Sequence, residues 1–379
     1  MGYFGKSIVV LAGTILVARP AAAEWREMET AHFRIFSESS PAEVEKFAAR
    51  LESYDKLMRM VTGTKEDWPV KVRIYEVAGL DEVQKALNAP GSGIAGFYSS
   101  NALGPYLVTP RKTGEGGRYF TPKLVLHHEY AHHFMLQYFP AIYPSWYVEG
   151  FAELIGSSKM MDDGRIGYGT PALHRGHEIN AYWVPLQELL TKEKIVYLDT
   201  YGQGWALTHF LTFDSKRSAK FRQYLAALSK GKSMADAATV FGDLTALNRE
   251  AHRYVTAGSF QYRPVKVDIA QPVIRDTRIL SEGEAKLIPE TIAFDDDDLS
   301  EFEKASDRKE EQGSRQRNLA RIRDKTARFP SDPFAQRLLT EAEYAQGNIA
   351  ESEAAADRLL AIRPSDRGGL TMKSPAPVP

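Results

Sequence analysis

The stretch Lys123–Glu153 reads KLVLHHEYAHHFMLQYFPAIYPSWYVEGFAE, and the rest of the chain can be understood from it. Residues 128–132 spell H-E-Y-A-H, which fits the H-E-x-x-H pattern. Side chains four residues apart on a helix lie on one face, so His128 and His132 can direct two imidazole nitrogens at one ion. Glu129 lies one step round the helix, where its carboxylate can reach a water molecule at the metal. The pattern therefore predicts a metal-binding helix.

The residues around this pattern favour two helices joined by a loop. Thr121 is a good N-cap and Pro122 suits the first helical position. Pro140 ends the first helix, because proline disfavours helical backbone in the residue before it. A second helix is expected to start after Ser145 and to end near Gly156.

The second helix offers a third ligand. Catalytic zinc usually takes three protein ligands and keeps a fourth position for water. The sixteen residues between His132 and Glu149 leave room for one more helical turn, a loop and a return. We therefore expect Zn²⁺ as the cofactor and Glu149 as the third ligand. Glu153 shares the face of Glu149 and is expected behind it, as a carboxylate that holds a zinc-ligating imidazole in the right tautomer.

These motifs resemble the gluzincin metallopeptidases, in particular the bacterial peptidase MA-like family. The second helix reads W-Y-V-E-G-F-A-E at 146–153 and is similar to the W-x-N-E-G-F-A segment of related zinc aminopeptidases. The resemblance spans roughly residues 25–255. It implies an α+β, zincin-like catalytic domain with a mixed sheet, an active-site helix and a helical lobe. It also implies three metal ligands and one general base: His128, His132 and Glu149 as ligands, and Glu129 as the base.

The resemblance also implies a residue that stabilises the oxyanion. In gluzincins a tyrosine or histidine of the helical lobe donates a hydrogen bond to the developing oxyanion. Related aminopeptidases place that tyrosine in a Y-E-K-G segment, and residues 201–204 here read Y-G-Q-G. Tyr201 is therefore the implied donor, and the alternative is a packing tyrosine at a helix start. His209 is the competing donor, and its own alternative is a hydrogen-bonded surface or core histidine.

One segment departs from the aminopeptidase pattern. Those enzymes carry a G-x-M-E-N strand before the zinc helix, and its glutamate binds the free amine of the substrate. The comparable residues 93–98 read G-I-A-G-F-Y and contain no carboxylate. This difference favours an endopeptidase over an aminopeptidase.

Four further histidines lie near the motifs. His127 and His133 flank the ligands and are each about 100° away from the ligand face of a helix, so we expect structural roles for both. His174 and His177 fall in an expected loop. They could reach a substrate, although exposure to solvent is the default expectation.

Composition limits the remaining possibilities. The chain has 379 residues and a formal net charge of −1, so two or three domains are expected and no nucleic acid partner is. Without cysteine, neither disulfides nor thiolate zinc ligands are possible. Residues 1–23 resemble a secretory signal peptide, with Lys6, an apolar run at 7–18 and a small-residue cleavage site at 21–23. A secreted or periplasmic protein without a stable membrane span is therefore expected, with an uncleaved anchor as the alternative.

Domain boundaries follow from shifts in pattern. Residues 24–258 are assigned to the zincin-like domain, which begins with strands and a helix before the metal helix. Residues 259–310 are expected to be a linker with strand-like and acidic segments, including the run Asp295–Asp298. Residues 311–370 are assigned to a helical tail, and residues 371–379 are expected to be disordered.

The tail contains an internal repeat. The tripeptide P-S-D at 330–332 recurs at 364–366, an offset of 34 residues. Two helical patterns with Gly347-Asn348 between them complete a unit that resembles a tetratricopeptide repeat, and a plain helical hairpin is the alternative. Fewer than three units rarely bury enough surface alone, so we expect these helices to dock on the catalytic domain, and the alternative is a truncated array. The helices could also recruit a protein partner.

Together these patterns predict a zinc metallopeptidase that hydrolyses peptide bonds in a peptide or protein substrate, with Glu129 as general base. The alternative function is a catalytically weak or inactive zincin-like binding protein that uses its helical repeats to recruit a partner.

Overall fold

The computed structural model describes residues 24–67, 69–87, 89–113, 120–192, 201–267, 274–294 and 305–373. The expected signal peptide, the four-aspartate run and the last six residues lie outside these ranges. Within them the chain has a mixed α+β fold. Among the helices of these ranges, none is both long enough and apolar enough to cross a membrane.

The strands and helices of the described residues follow in chain order. The strands are β1 Arg26–Glu29, β2 Phe33–Ser37, β3 Val72–Val77, β4 Phe97–Asn101, β5 Gly104–Pro110, β6 Lys159–Met160, β7 Ile166–Tyr168, β8 Arg263–Val265 and β9 Asp276–Ile279. The helices are α1 Pro41–Thr62, α2 Leu80–Ala86, α3 Pro122–Tyr138, α4 Ser145–Gly156, α5 Gly176–Ala181, α6 Leu186–Leu189, α7 Tyr201–Thr212, α8 Ser215–Leu228, α9 Met234–Ala238, α10 Leu244–Ala257, α11 Glu282–Ile292, α12 Ala305–Thr326, α13 Pro333–Ala345, α14 Ile349–Ile362 and α15 Arg367–Lys373.

Six strands form a mixed sheet in the order β4-β5-β3-β2-β1-β9. The central strands β2, β3 and β5 run parallel, with Ile35 opposite Ile74 and Ile74 opposite Leu107. The outer strands β4, β1 and β9 each pair antiparallel with their neighbours. β4 therefore forms one edge of the sheet. A small antiparallel sheet of β6, β7 and β8 lies apart from it.

Helices cover both faces of the large sheet. Successive strand residues point to opposite faces. Ile35 and Ile74 accordingly belong to the main core with α1 and α3, whereas Phe36 and Tyr75 pack with α2 and α11. Because both faces are covered, all six residues of β3 are buried. The main core continues from the first face into α4, α7 and α8, which connects the sheet to the helical half.

Helix α3 has the ends that its sequence predicted. The Thr121 side chain accepts a hydrogen bond from the backbone N–H of Leu124 and so caps the start of α3. The helix ends at Tyr138, two residues before Pro140. α4 likewise covers the predicted range. The two helices that carry the motif are therefore confirmed.

The expectation of a linker at 259–310 is wrong for 263–265, which pair with β7 as strand β8, and for the stretch that forms β9 and α11. β9 pairs antiparallel with β1, with Thr277 opposite Met28, and so completes the sheet. Arg278 forms salt bridges of 2.6 Å with both Glu27 and Glu284, which tie β9 to β1 and to α11. Both strands are short and polar, and they are far apart in the chain, so neither was predicted. The sheet-bearing part therefore extends to the end of α11.

The tail helices pack against the sheet-bearing part through α11. Leu287 of α11 shares a buried cluster with Leu319 and Ile322 of α12 and with Leu338 of α13. The cluster excludes water from apolar faces of three helices. This arrangement agrees with the expected docking of the tail.

The 34-residue offset also appears in the helix caps. Asp332 Oδ1 accepts hydrogen bonds from the backbone N–H groups two and three residues ahead, at 2.8 and 3.2 Å. Asp366 Oδ1 makes the equivalent bonds at 3.0 and 3.3 Å. Each aspartate precedes a helix, α13 or α15. Because α15 extends to Lys373, the expectation of disorder from residue 371 is wrong for its first three residues.

Candidate metal centre

Two histidines of α3 and one glutamate of α4 converge on a single point. The Nε2 atoms of His128 and His132 lie 3.1 Å apart. Oε2 of Glu149 lies 3.2 Å from His128 Nε2 and 3.5 Å from His132 Nε2. One nitrogen or oxygen from each side chain can therefore contact the same metal ion. The three side chains predicted as ligands are thus brought together.

Glu149 is suited to act as a ligand rather than as a hydrogen-bonding residue. Its Oε2 atom is buried and has no partner with hydrogen-bond geometry, although two imidazoles are close to it. Burial alone would raise the pKa of Glu149, but the polar contacts and charges of His128 and His132 lower that pKa to about 2. The carboxylate is therefore charged at neutral pH and points at the spot that the two imidazoles share.

Glu153 lies next to His128, on the Nδ1 side of its ring. Its side chain has no exposed surface, and Oε1 lies 3.4 Å from His128 Nδ1. Oε1 also accepts hydrogen bonds from Arg175 at 2.8 and 2.9 Å, and Oε2 lies 2.7 Å from His174 Nε2. Burial would raise the pKa of Glu153, but these cationic and hydrogen-bonding neighbours lower it to about 2. The charged carboxylate therefore lies on the Nδ1 side of the His128 ring, while Nε2 of that ring faces the shared point.

Glu129 faces the cleft between α3 and the edge of the sheet. Burial raises the pKa of Glu129; His128 and His132 oppose that change, as does a hydrogen bond with the backbone of Tyr98. The chain before β4 passes close to this carboxylate. A Cβ on Gly96 would lie 2.4 Å from the Val125 side chain, so only glycine allows this approach. The sheet edge and α3 therefore enclose Glu129 together.

Tyr201 lies at the same cleft. The ring of Tyr201 is 6.0 Å from the His128 ring, and the Arg175 guanidinium carbon is 4.5 Å from its centroid. A cavity of about 460 Å³ is lined by residues 92–96 before β4 and by side chains of α3, α4 and α7. Its lining includes His128, Glu129, Glu153, Arg175 and Tyr201. The residue implied as oxyanion donor is therefore close to the ligands.

His209 is not at this cleft. Its Nε2 lies 2.9 Å from the Gly169 carbonyl oxygen, so it carries the proton and donates, and Nδ1 accepts from the Tyr254 hydroxyl at 2.7 Å. The ring stacks on Phe213 and has no exposed surface. Burial lowers the pKa of His209 to about 4, against the hydrogen bond to Gly169. His209 is thus a core histidine with both nitrogens occupied.

The flanking histidines have the structural positions that were expected. His127 has no exposed surface and stacks on Tyr54. His133 is buried, its Nδ1 lies 3.2 Å from the Tyr98 hydroxyl, and burial lowers its pKa to about 4. His177 is exposed, as expected.

The expectation of solvent exposure is wrong for His174. Its side chain is 6% exposed and contacts Glu153. Sequence reasoning also missed Arg175, which contacts Glu153, Glu178 and the ring of Tyr201. Neither residue belongs to a motif, and the adjacent basic side chains of His174 and Arg175 were the only available signal. Both residues belong to a 3-10 turn at 173–175, and their side chains reach Glu153 of α4 and, from Arg175, Tyr201 of α7.

Two glycines hold the ligand helix against the helix of Tyr201. A Cβ on Gly150 would lie 2.3 Å from the Gly204 carbonyl oxygen, and one on Gly204 would lie 2.4 Å from the Trp146 carbonyl oxygen. α4 and α7 therefore touch backbone to backbone. This contact places Glu149 and Tyr201 at the same end of the cleft.

A second acidic group also contains a histidine. His32 Nδ1 lies 2.7 Å from Glu52 Oε2 and 3.7 Å from Asp55 Oδ2. Here Arg59 already lies 2.6 Å from Asp55, and Tyr130 donates to its other oxygen at 2.8 Å. The guanidinium neutralises the charge that would attract a cation, so this group is a salt-bridge network.

No protein-family model matches the chain, and no curated protein matches its sequence.

Proposed function

We propose that this protein is a zinc-dependent peptidase of the gluzincin type. The observation that carries the proposal is the triangle formed by His128, His132 and Glu149, with sides of 3.1, 3.2 and 3.5 Å. Three ligands about 2.0–2.1 Å from one zinc ion at tetrahedral angles lie about 3.3–3.4 Å apart. The two imidazoles, the charged carboxylate and the buried, unpaired Oε2 of Glu149 fit such an ion.

In the proposed hydrolysis, the zinc ion and the protein side chains would have different roles. Zinc, when bound, would lower the pKa of water toward about 7 and polarise a carbonyl group. Glu129 takes a proton from the attacking water and delivers it to the leaving amine. Its burial supports this role, because a raised carboxyl pKa favours carrying a proton at neutral pH. Tyr201 donates a hydrogen bond to the oxyanion, and Glu153 keeps His128 in its ligating orientation.

The substrate is a peptide or protein, and an endopeptidase is favoured. Residues 93–98, which border the cleft before and within β4, contain no carboxylate that could hold a free amine. The signal-like N-terminus supports secretion or a periplasmic location. The capping aspartates repeated at an offset of 34 residues support a tetratricopeptide-like tail.

The test compares two substitutions. Glu129→Gln should retain one zinc per chain and lose peptide hydrolysis, because this carboxylate acts on water. Glu149→Ala should lose zinc affinity as well as hydrolysis. His177→Ala is the matched control, since this exposed histidine should change neither property. Absence of zinc after loading, or wild-type hydrolysis by Glu129→Gln, would refute the assignment.

The second candidate function is a zincin-like binding protein with little or no activity, which recruits a partner through its tail. α14 packs on α13, and the exposed apolar side chains of Ile349, Ile362 and Leu370 on α14 and α15 favour a partner at that surface. Bound zinc together with no turnover across a peptide library would support this alternative over the peptidase.

A further inference from the structure

A second cavity lies on the side of α4 that faces away from the metal ligands. Its volume is about 800 Å³, against about 460 Å³ at the cleft of Glu129. Residues two apart on a helix point about 200° apart, so Tyr147 and Phe151 face this cavity while Glu149 faces the metal. Its walls are largely aromatic: Phe139, Tyr143, Tyr147, Phe151, Tyr168 and Phe221.

Three tyrosines contribute to these walls, and the ring centres of Tyr143 and Tyr147 lie 5.3 Å apart. Burial is the main cause that raises the pKa of Tyr147, and the nearby phenol groups of Tyr143 and Tyr168 raise it further. In the described ranges none of the three hydroxyls has a hydrogen-bond partner, and none is completely buried. Hydroxyl groups at the edge of an apolar space favour a ligand with oxygen acceptors, because each can donate one hydrogen bond.

The rim of the cavity carries positive charge. Arg222 and Arg263 both line it and are exposed, and neither has a carboxylate partner in the part of the chain that the structure describes. The Arg263 guanidinium lies 5.0 Å from the centre of the Phe213 ring, and its charge opposes the rise in the pKa of Tyr168 that burial causes. Glu66 is the one acidic side chain in the described lining.

We propose that this cavity binds a small organic anion, a carboxylate carried on an apolar body. The aromatic walls would take the apolar body, and the tyrosine hydroxyls with Arg263 would take the carboxylate. Arginine suits this role because its planar donors match carboxylate geometry. The volume lies in the range of about 300–1,000 Å³ that is common for ligand pockets.

The first experiment measures binding by calorimetry to the full-length protein. The probes are decanoate and 4-phenylbutyrate, which represent acyl and aromatic carboxylates, and a short peptide ending in phenylalanine with a free carboxylate. The matched neutral probes are decanamide, 4-phenylbutyramide and the amidated peptide. We expect one saturable site for at least one carboxylate and clearly weaker binding of its neutral partner. The probe that binds shows whether the ligand is an acyl carboxylate, an aromatic carboxylate or the carboxylate end of a peptide.

The second experiment uses variants that keep the aromatic walls. Tyr147→Phe and Tyr168→Phe each remove one hydroxyl, and Arg263→Gln removes the charge. Loss of a hydrogen bond to a charged group should weaken binding about tenfold or more in each case. Arg249→Gln is the control, because Arg249 is an exposed arginine of α10 outside the cavity. Glu129→Gln should bind the carboxylate probe with wild-type affinity, because Glu129 does not line this cavity. Binding at the cavity is thereby distinguished from peptidase activity.

Three outcomes would overturn the proposal. These are no saturable binding of any carboxylate, equal affinity for the neutral probes, and binding that is unchanged in all three cavity variants. Binding of several detergent-like molecules per chain would also count against it, since the cavity is a single site.

Discussion

Tyr201 and His209 lie two turns apart on α7, and their surroundings differ in polarity and access. Tyr201 borders the cleft, 6.0 Å from the His128 ring, beside the Arg175 guanidinium. His209 is buried between Phe213 and the Gly169 carbonyl, with both ring nitrogens hydrogen-bonded. Only the first of these side chains is placed to meet a substrate.

The two residues should therefore respond differently to substitution. Tyr201→Phe keeps the ring and should leave zinc bound, but should lower the turnover rate about a hundredfold or more, because an oxyanion donor acts mainly in the transition state. His209→Ala should lower the melting temperature and leave the turnover per folded molecule near that of the wild type. Steady-state kinetics on one peptide substrate checks both. Near-normal turnover by Tyr201→Phe with collapse of His209→Ala would reverse the assignment.

His32 should make stability depend on pH. Burial lowers its pKa, but the hydrogen bond to Glu52 and the charge of Asp55 outweigh burial and the opposing Arg59, so the net pKa is raised. Asp67 also lies 3.5 Å away. A raised folded-state pKa means that protonated His32 stabilises the fold fully below the unfolded pKa of about 6.5. That stabilisation disappears as pH rises through the folded pKa.

The substitution His32→Gln should therefore lower the melting temperature more at about pH 5.5 than at about pH 8.5. Thermal unfolding of both proteins at the two pH values measures this difference. His177→Gln serves as the control and should change the melting temperature little at either pH, since His177 is exposed. An equal loss at both pH values for His32→Gln would show that the interaction is independent of protonation.

At the scale of elements, the contact of α4 with α7 positions the site. Gly150 and Gly204 let the two backbones touch, so the helix that bears Glu149 has little freedom to shift relative to the helix that bears Tyr201. A side chain at this contact would meet backbone rather than a flexible neighbour. The helices would then have to separate.

The change Gly150→Ala should consequently destabilise the protein by about 1–3 kcal/mol through overpacking. It should also weaken zinc binding, because Glu149 is the adjacent residue. Denaturant unfolding and competition for zinc with a chelator give the two readouts. Gly176→Ala is the control, since a Cβ there meets open space. If Gly150→Ala unfolds at the wild-type denaturant concentration and keeps its zinc affinity, the contact has no positioning role.

At the scale of the molecule, the tail helices and the sheet share buried surface. Leu287 of α11 contacts the cluster that α12 and α13 complete, while Ile288 and Ile292 of the same helix cover the sheet. α11 is therefore a common support. If the side of α11 that faces the tail became exposed, its packing on the sheet should weaken as well.

Removal of residues 305–379 should lower the melting temperature of the remaining chain, because Leu287 and Phe294 would become exposed. The zinc content should stay at one per chain, since no proposed ligand lies in the tail. Differential scanning calorimetry and elemental analysis test the two statements. An unchanged melting curve would instead indicate a tail that is only tethered.

Local features of the site followed from sequence alone. The spacing of His128, His132, Glu149 and Glu153 predicted which side chains share a helix face, and the structure brings all four together. The start of α3 was also predicted, from Thr121 as the N-cap and Pro122 as the first helical residue. Helix periodicity and capping depend on residues within a few positions of each other, so a sequence pattern determines them.

Other features depended on the tertiary structure. Pairing of β9 with β1, the contacts of His174 and Arg175 with Glu153, and the aromatic cavity behind α4 all join segments that are distant in the chain. The two strands have polar sequences, and His174 and Arg175 belong to no repeating pattern. Their roles arise only when folding buries one segment against another. The sequence by itself therefore determined which residues could bind a metal, whereas the tertiary structure decided what surrounds and supports them.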